Sequence, residues 1–216
     1  MPFGFGRKKA TSAEAAVDQA VAAADARPSR TVRFDGFTED WRLDGQLELS
    51  GRLLDALNQR ETMLVNDVRW APPDGSSDLE PAPGIKSMDP YDLIVVSAGP
   101  DTLPAKTDDE RAAHRIHKVP FDIALEAPPY RIIGTILLHP GSEPDSLLER
   151  GTQMFAAVRD PVVLFGGVAV DLHGADTVLV NRFYLRGIAQ VDRSTGEPYQ
   201  RLPGQSLGGT NWRERT

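Results

Sequence analysis

The chain contains no cysteine. That excludes disulfides, thiolate-built zinc sites and thiol nucleophiles, and it leaves the redox compartment open. Long hydrophobic runs are also missing. The longest, Val162 to Val170, is interrupted by Gly166-Gly167 and falls well short of the roughly 20 residues that span a bilayer as a helix. The N-terminus is basic but lacks an apolar segment and a cleavage site, so no secretory leader is expected there. Aromatic residues are few, at 7%, which leaves little for the stacking platforms that hold single-stranded nucleic acid. Phosphate-loop patterns are absent, because neither Gly166-Gly167 nor Gly208-Gly209 is followed by Lys-Ser/Thr. No serine sits in a nucleophile-elbow pattern.

What is present is an ordinary globular composition: 216 residues, 40% hydrophobic and 25% charged. Of the 24 basic residues, 19 are Arg. The net charge of −7 is unevenly spread. Residues 1–30 carry Arg7, Lys8, Lys9, Arg27 and Arg30 against Glu14, Asp18 and Asp25, a balance of +2. Residues 193–216 also balance at +2, so the body between them stands at −11. An acidic body repels phosphate backbones, which disfavours nucleic acid as a partner.

The stretch Trp41 to Trp70 has a diverged second version. Val32-x-Phe34-Asp35 is matched by Val119-x-Phe121-Asp122, Trp41-Arg42 by Tyr130-Arg131, and Met63 by Met154. The offsets are 87, 89 and 91 residues, a slow drift in constant order. Such drift is the mark of a duplicated unit. Within each unit, short alternating segments predict strands. Examples are Trp41 to Leu49, Thr62 to Trp70 and Asp92 to Val96 in the first unit, and Val168 to Leu172 and Tyr184 to Val191 in the second. Leu53, Leu54 and Leu57 predict a helical turn, while Gly45 suggests a bulge that curves the sheet. Asp74 to Pro90 is a long polar loop.

The expected fold is therefore mostly β: two tandem small β-barrel-like units, SH3-like or Sm-like, related by internal duplication, with an N-terminal helix and flexible tails. The expected division is a tail with an Ala-rich helix at 1–30, a first β unit at 31–98, a linker at 99–117, a second β unit at 118–192 and a disordered tail at 193–216. The helix covers Thr11 to Ala26, where Thr11-x-x-Glu14 forms a capping box and Ala supplies propensity.

Candidate chemistry is sparse. Glu110, His114 and His117 could share a helical face as metal ligands, but two nearby histidines are a weak signal, and surface residues without metal are expected. Asp171-x-His173 with Asp176 could orient a general base; strand alternation would place the first two on one exposed face. Arg42 with Asp35 and Arg131 with Asp122 read as a structural ion pair in each unit. Arg52, Asp55 and Asn58 lack a clean counterpart in the second unit and are the candidate recognition residues; Asp55 and Asn58 are expected to bond backbone at the ends of the helical turn. Phe3, Phe5, Arg7, Lys8 and Lys9 form a candidate tether, with aromatics to insert and cations to meet an anionic surface.

Around Gly45-x-Leu47-x-Leu49 and Arg52-Leu-Leu-Asp55-Ala-Leu-Asn58, the chain resembles a family of small bacterial β-rich domains of unknown function that carry an Arg-Leu-x-Asp-x-Leu-Asn motif between two strands. The resemblance covers about a third of the chain, and Glu149 stands where Asn58 would align. It implies a β fold, and because the family has no assigned activity, nothing catalytic carries over. The strand order around the glycine is also distantly similar to Sm-like barrels, which implies an RNA role. The functional expectation is a non-enzymatic cytoplasmic interaction or scaffold protein without cofactor or metal. It would bind protein and touch a membrane peripherally through its N-terminus. The alternative is an Sm-like nucleic-acid- or nucleotide-binding regulator.

Overall fold

The computed structural model describes residues 29–103, 117–149, 151 and 153–198. The expected N-terminal helix, the tether, the C-terminal tail beyond 198, and Glu110 and His114 lie outside the described residues. The protein is mostly β. The first half runs β1 (Arg30–Phe37), β2 (Arg42–Leu49), α1 (Leu53–Gln59), β3 (Met63–Ala71), β4 (Glu80–Pro81), β5 (Ser87–Met88), the 3-10 turn η1 (Pro90–Asp92) and β6 (Val95–Ala98). The second runs β7 (Val119–Ala127), β8 (Tyr130–Leu138), η2 (Pro144–Leu148), β9 (Phe155–Phe165), β10 (Val168–Ala169), β11 (Thr177–Asn181), η3 (Arg182–Tyr184) and β12 (Gly187–Gln190).

All the strands join one antiparallel sheet that is not closed. Its order is β12-β7-β8-β9-β11-β6-β1-β2-β3-β4, with β10 added to β9 and β5 to β3. The halves meet where β11 pairs with β6, Leu179 opposite Val96 and Val180 opposite Val95. These strands are buried on both faces. Val96 and Leu179 point into one core, built mainly by Phe34, Leu47, Leu53, Leu57 and Val65. Val95, Val178 and Val180 point into the other, built mainly by Ile123, Leu125, Tyr130 and Ile132. Each core also takes side chains from the opposite half: Met154 and Phe155 enter the first, Phe37 and Ile94 the second.

Several local expectations shift. The segment predicted as a strand over Asp92 to Val96 begins as η1, because the Asp89 carboxylate accepts a hydrogen bond from the Tyr91 N–H and caps a turn started by Pro90. The strand then runs Val95–Ala98. The 74–90 loop carries β4 and β5, both paired to β3. The strand expected over 168–172 is only Val168–Ala169, since Leu172 and His173 enter a turn. Tyr184 belongs to η3, so the last strand starts at Gly187.

The glycine bulge is present, and it recurs. Between Asp44 and Gln46 the partner strand gains one residue, and it does so again opposite Ile133 and Thr135. Gly45 and Gly134 sit at these points, each facing an aspartate with positive φ, Asp67 at 50° and Asp160 at 46°. A short polar side chain tolerates that backbone region best after glycine. A Cβ at Gly134 would lie 2.7 Å from both the Arg159 carbonyl oxygen and Val158 Cγ1, while one at Gly51 would meet nothing within 4 Å. Gly134→Ala should therefore lower stability by about 1–3 kcal/mol through overpacking, and Gly51→Ala should change it little. Urea unfolding of the two variants checks this.

Candidate functional site

The charged residues that the strands bring together lie on one face of β1, β2 and β3. Strand alternation puts Arg33 and Asp35 on that face from β1, Arg42 and Asp44 from β2, and Arg69 from β3. Asp35 and Asp44 are direct cross-strand partners, and both are buried. Like charges placed opposite each other are destabilising, so each carboxylate needs its own cation. Arg42 grips Asp35 with two hydrogen bonds, Nε to Oδ1 at 3.0 Å and Nη2 to Oδ2 at 2.9 Å, and the Ser97 hydroxyl adds a third at 3.3 Å. The Arg42 guanidinium also lies 5.2 Å over the Phe37 ring. Asp44 receives Arg33 Nε at 2.8 Å on Oδ2 and Arg69 Nη2 on Oδ1. A cleft of about 580 Å³ opens beside Asp44, lined by Arg33, Gln46, Asp67 and Arg69 among others.

The two carboxyls titrate in opposite directions. Burial pushes Asp35 above its ordinary value, and the Arg42 hydrogen bond and charge offset this only in part. Burial pushes Asp44 up as well, but hydrogen bonds from Arg69 and Arg33 outweigh it and hold the group below its ordinary value. Both carboxylates are occupied by guanidinium groups, and among the described residues no group of three or more His, Asp or Glu could hold a metal ion.

The sequence-predicted residues scatter. The Arg–Asp pair exists in the first half only. Arg131 instead pairs with Glu126 at 3.2 Å, its direct cross-strand partner, and Asp122 accepts the Thr135 hydroxyl at 2.6 Å. Register explains the correction. Gly45 faces Phe34, whereas Gly134 faces Ile123. The two Val-x-Phe-Asp stretches are therefore offset by two positions in the ladder, and Asp122 occupies the place of Arg33. Asp171 and His173 lie on a turn, not a strand. The Asp171 carboxylate accepts the His173 N–H at 2.8 Å and sits 3.0 Å from Nδ1, with His173 at φ 52°. This local bond holds the Asp171 carboxyl below its ordinary value. Asp176 is exposed in the segment leading into β11, and His117 lies just before β7.

Arg52 is the residue before α1, half-buried, with no side-chain capping bond, and Asp55 is exposed in the first turn. Asn58 departs from expectation. Its side chain bonds not at the helix end but across the molecule, accepting the Phe155 N–H at 2.8 Å and donating to the Phe155 carbonyl at 3.4 Å. This two-way bond clamps α1 to the start of β9. Tyr130 makes a similar cross-connection, donating to the Thr38 carbonyl at 2.7 Å.

Sequence reasoning missed Arg33, Asp44 and Arg69 as a network. The signal was available in the i, i+2 charges Arg33/Asp35 and Arg42/Asp44, which alternation places on one face. It also missed the pairing of Trp41 with Trp70. Their rings stack 4.6 Å apart at 21°, and they remain 40% and 37% exposed. No family model, no curated protein and no solved structure matches the chain.

Two outcomes are expected. Asn58→Ala leaves the Phe155 N–H without its acceptor and should cost about 1–3 kcal/mol, read as a lower urea midpoint. For pH, a carboxyl lowered in the fold contributes stability above its ordinary value, 3.8 for Asp44, and loses it as pH falls. A raised one, Asp35, contributes below 3.8 and loses it as pH rises. Urea midpoints on both sides of that value should show a weaker acid decline in Asp44→Asn and the loss of the opposing slope in Asp35→Asn.

Proposed function

We propose that the chain is a non-enzymatic interaction protein made of two β modules related by internal duplication. Phe3, Phe5, Arg7, Lys8 and Lys9 serve as its tether to a membrane or a protein partner. The observation that carries this reading is the exposed, stacked Trp41–Trp70 pair. Large aromatics left at a surface are the side chains that most often anchor a partner. The state of Asp35 and Asp44 agrees with it, because both carboxylates are committed to arginines.

The module reading is supported by the ladder. Strands β6-β1-β2-β3-β5 in one half and β12-β7-β8-β9-β11 in the other follow the same order, and both carry the glycine bulge. A 3-10 turn precedes the last strand of each, with Asp89 and Asn181 as equivalent side-chain caps. Each half is then an SH3-like or Sm-like unit opened to share strands with its copy. The resemblance to the small bacterial β-rich domains agrees with that organisation, and a cytoplasmic location is part of the same proposal. The Sm-like nucleic-acid reading has a foothold in Arg33 and Arg69 at the cleft, but both already neutralise Asp44 and the body is acidic.

Liposome flotation and partner pull-down, comparing the full chain with one lacking residues 1–10, test the tether. The expected outcome is loss of flotation or capture in the shortened chain; equal behaviour contradicts it.

A further inference from the structure

The tryptophan pair has a defined chemical setting. Trp41 closes the β1–β2 turn, where its N–H donates to Thr38 Oγ1 at 3.0 Å and its carbonyl accepts the Thr38 N–H at 2.8 Å. Its backbone is therefore fixed from both sides. Trp70, on β3, is the direct cross-strand partner of buried Leu43 on one side and of Glu80 on the other. Direct partners present their side chains on the same face of a sheet, with Cβ atoms about 5 Å apart, so the Glu80 carboxylate shares the face of the Trp70 ring. Glu39 and Asp40 precede Trp41 in the turn, and all three acidic residues are exposed. Among the described residues none of the three forms an ion pair. The surface therefore offers two stacked, partly exposed indoles, with Glu80 directly across from Trp70 and Glu39 and Asp40 in the turn that leads into Trp41, on a body of charge −11.

We infer that this surface recognises a cationic segment of a protein partner, an arginine- or lysine-bearing peptide. The inference rests on the interaction reading and names the partner class. A guanidinium or ammonium over an indole face is attracted by the negative face of the ring, and tryptophan is the strongest aromatic partner for it. Arginine adds planar stacking and paired hydrogen bonds to a carboxylate. Glu39, Asp40 and Glu80 supply those acceptors. The same carboxylates repel a phosphate backbone or an anionic lipid surface, so charge complementarity selects a basic peptide over both.

The test uses the full chain with Trp212→Phe, which leaves Trp41 and Trp70 as the emitters. It is titrated with an arginine octapeptide, and with a glutamate octapeptide as control. The expected result is a saturable change in emission with the arginine peptide alone, weakened by added salt. Trp70→Ala should weaken binding about tenfold, as expected for a central aromatic anchor, read by anisotropy of a labelled peptide. Asp40→Asn/Glu80→Gln is measured beside it, with circular dichroism confirming the fold of both variants. It keeps both indoles and should weaken binding several-fold. Glu48→Gln/Glu143→Gln removes the same charge elsewhere and should leave binding unchanged. An equal response to both peptides, an equal effect of the two charge-removing variants, or a concentration-dependent emission change without peptide that reveals self-association would each overturn the inference. Failure here is distinguishable from failure of the interaction reading: with no response to the arginine peptide, partner capture by the full chain that is lost in Trp70→Ala would keep that reading while overturning the cationic partner class.

Discussion

The rest of the structure depends on the pairing of β6 with β11. It is the ladder through which the two halves meet, and its residues face two cores at once: Val96 and Leu179 on one side, Val95, Val178 and Val180 on the other. A strand buried on both faces is mostly apolar, as Val95-Val96 and Val178-Leu179-Val180 are, and the buried Ser97 hydroxyl, opposite Val178, is satisfied by its bond to Asp35. Phe37 then belongs to the core of the second half, and Met154 and Phe155 to that of the first. Neither half encloses its own interior. The Asn58 bond to Phe155, the Tyr130 bond to Thr38 and the Asn181 side-chain bond to the Leu93 carbonyl at 2.8 Å all cross the same junction.

The shared junction leaves the charged face of β1, β2 and β3 with a separate problem, two buried carboxylates opposite each other. Three arginines resolve it, one from each strand, so the network links the strands laterally as it neutralises Asp35 and Asp44. A buried pair of this kind is not a strong source of net stability, because desolvation consumes much of the Coulombic gain. Removing one member leaves a costly charge behind. The network therefore acts as a register lock: a one-residue slip of β2 would send Asp44 and Arg42 into the apolar core.

Much of the fold was legible in the sequence because strand alternation and glycine bulges are local. The Trp41 to Leu49 alternation, the helix at Leu53 and the bulge at Gly45 depend on nearby residues, and they stand where expected. The union of the halves was not legible. Partners 80 or so residues apart, such as Val96 and Leu179, leave no mark in spacing; two short apolar runs look the same whether they end separate units or pair. Sequence matching also set Asp122 against Asp35, while ladder register sets Asp122 against Arg33, so the second ion pair fails. Within the candidate site, Arg42 with Asp35 could be read from strand proximity. Asn58 could not, because its partner is a backbone group 97 residues away. Trp41 and Trp70 were visible as a pair of landmarks, but only strand pairing placed one ring on the other.

The central claim is that the halves share one sheet and unfold together. The direct measurement is urea unfolding in the Trp212→Phe background, followed by emission from Trp41 and Trp70, which sit in the first half, and by far-ultraviolet circular dichroism, which reports both. The account predicts coincident transitions. It also predicts that Val180→Ala, a cavity in the second half's core expected to cost about 1–3 kcal/mol, moves the tryptophan midpoint as far as the dichroism midpoint. Separate transitions, or a tryptophan midpoint that ignores Val180→Ala, would contradict it.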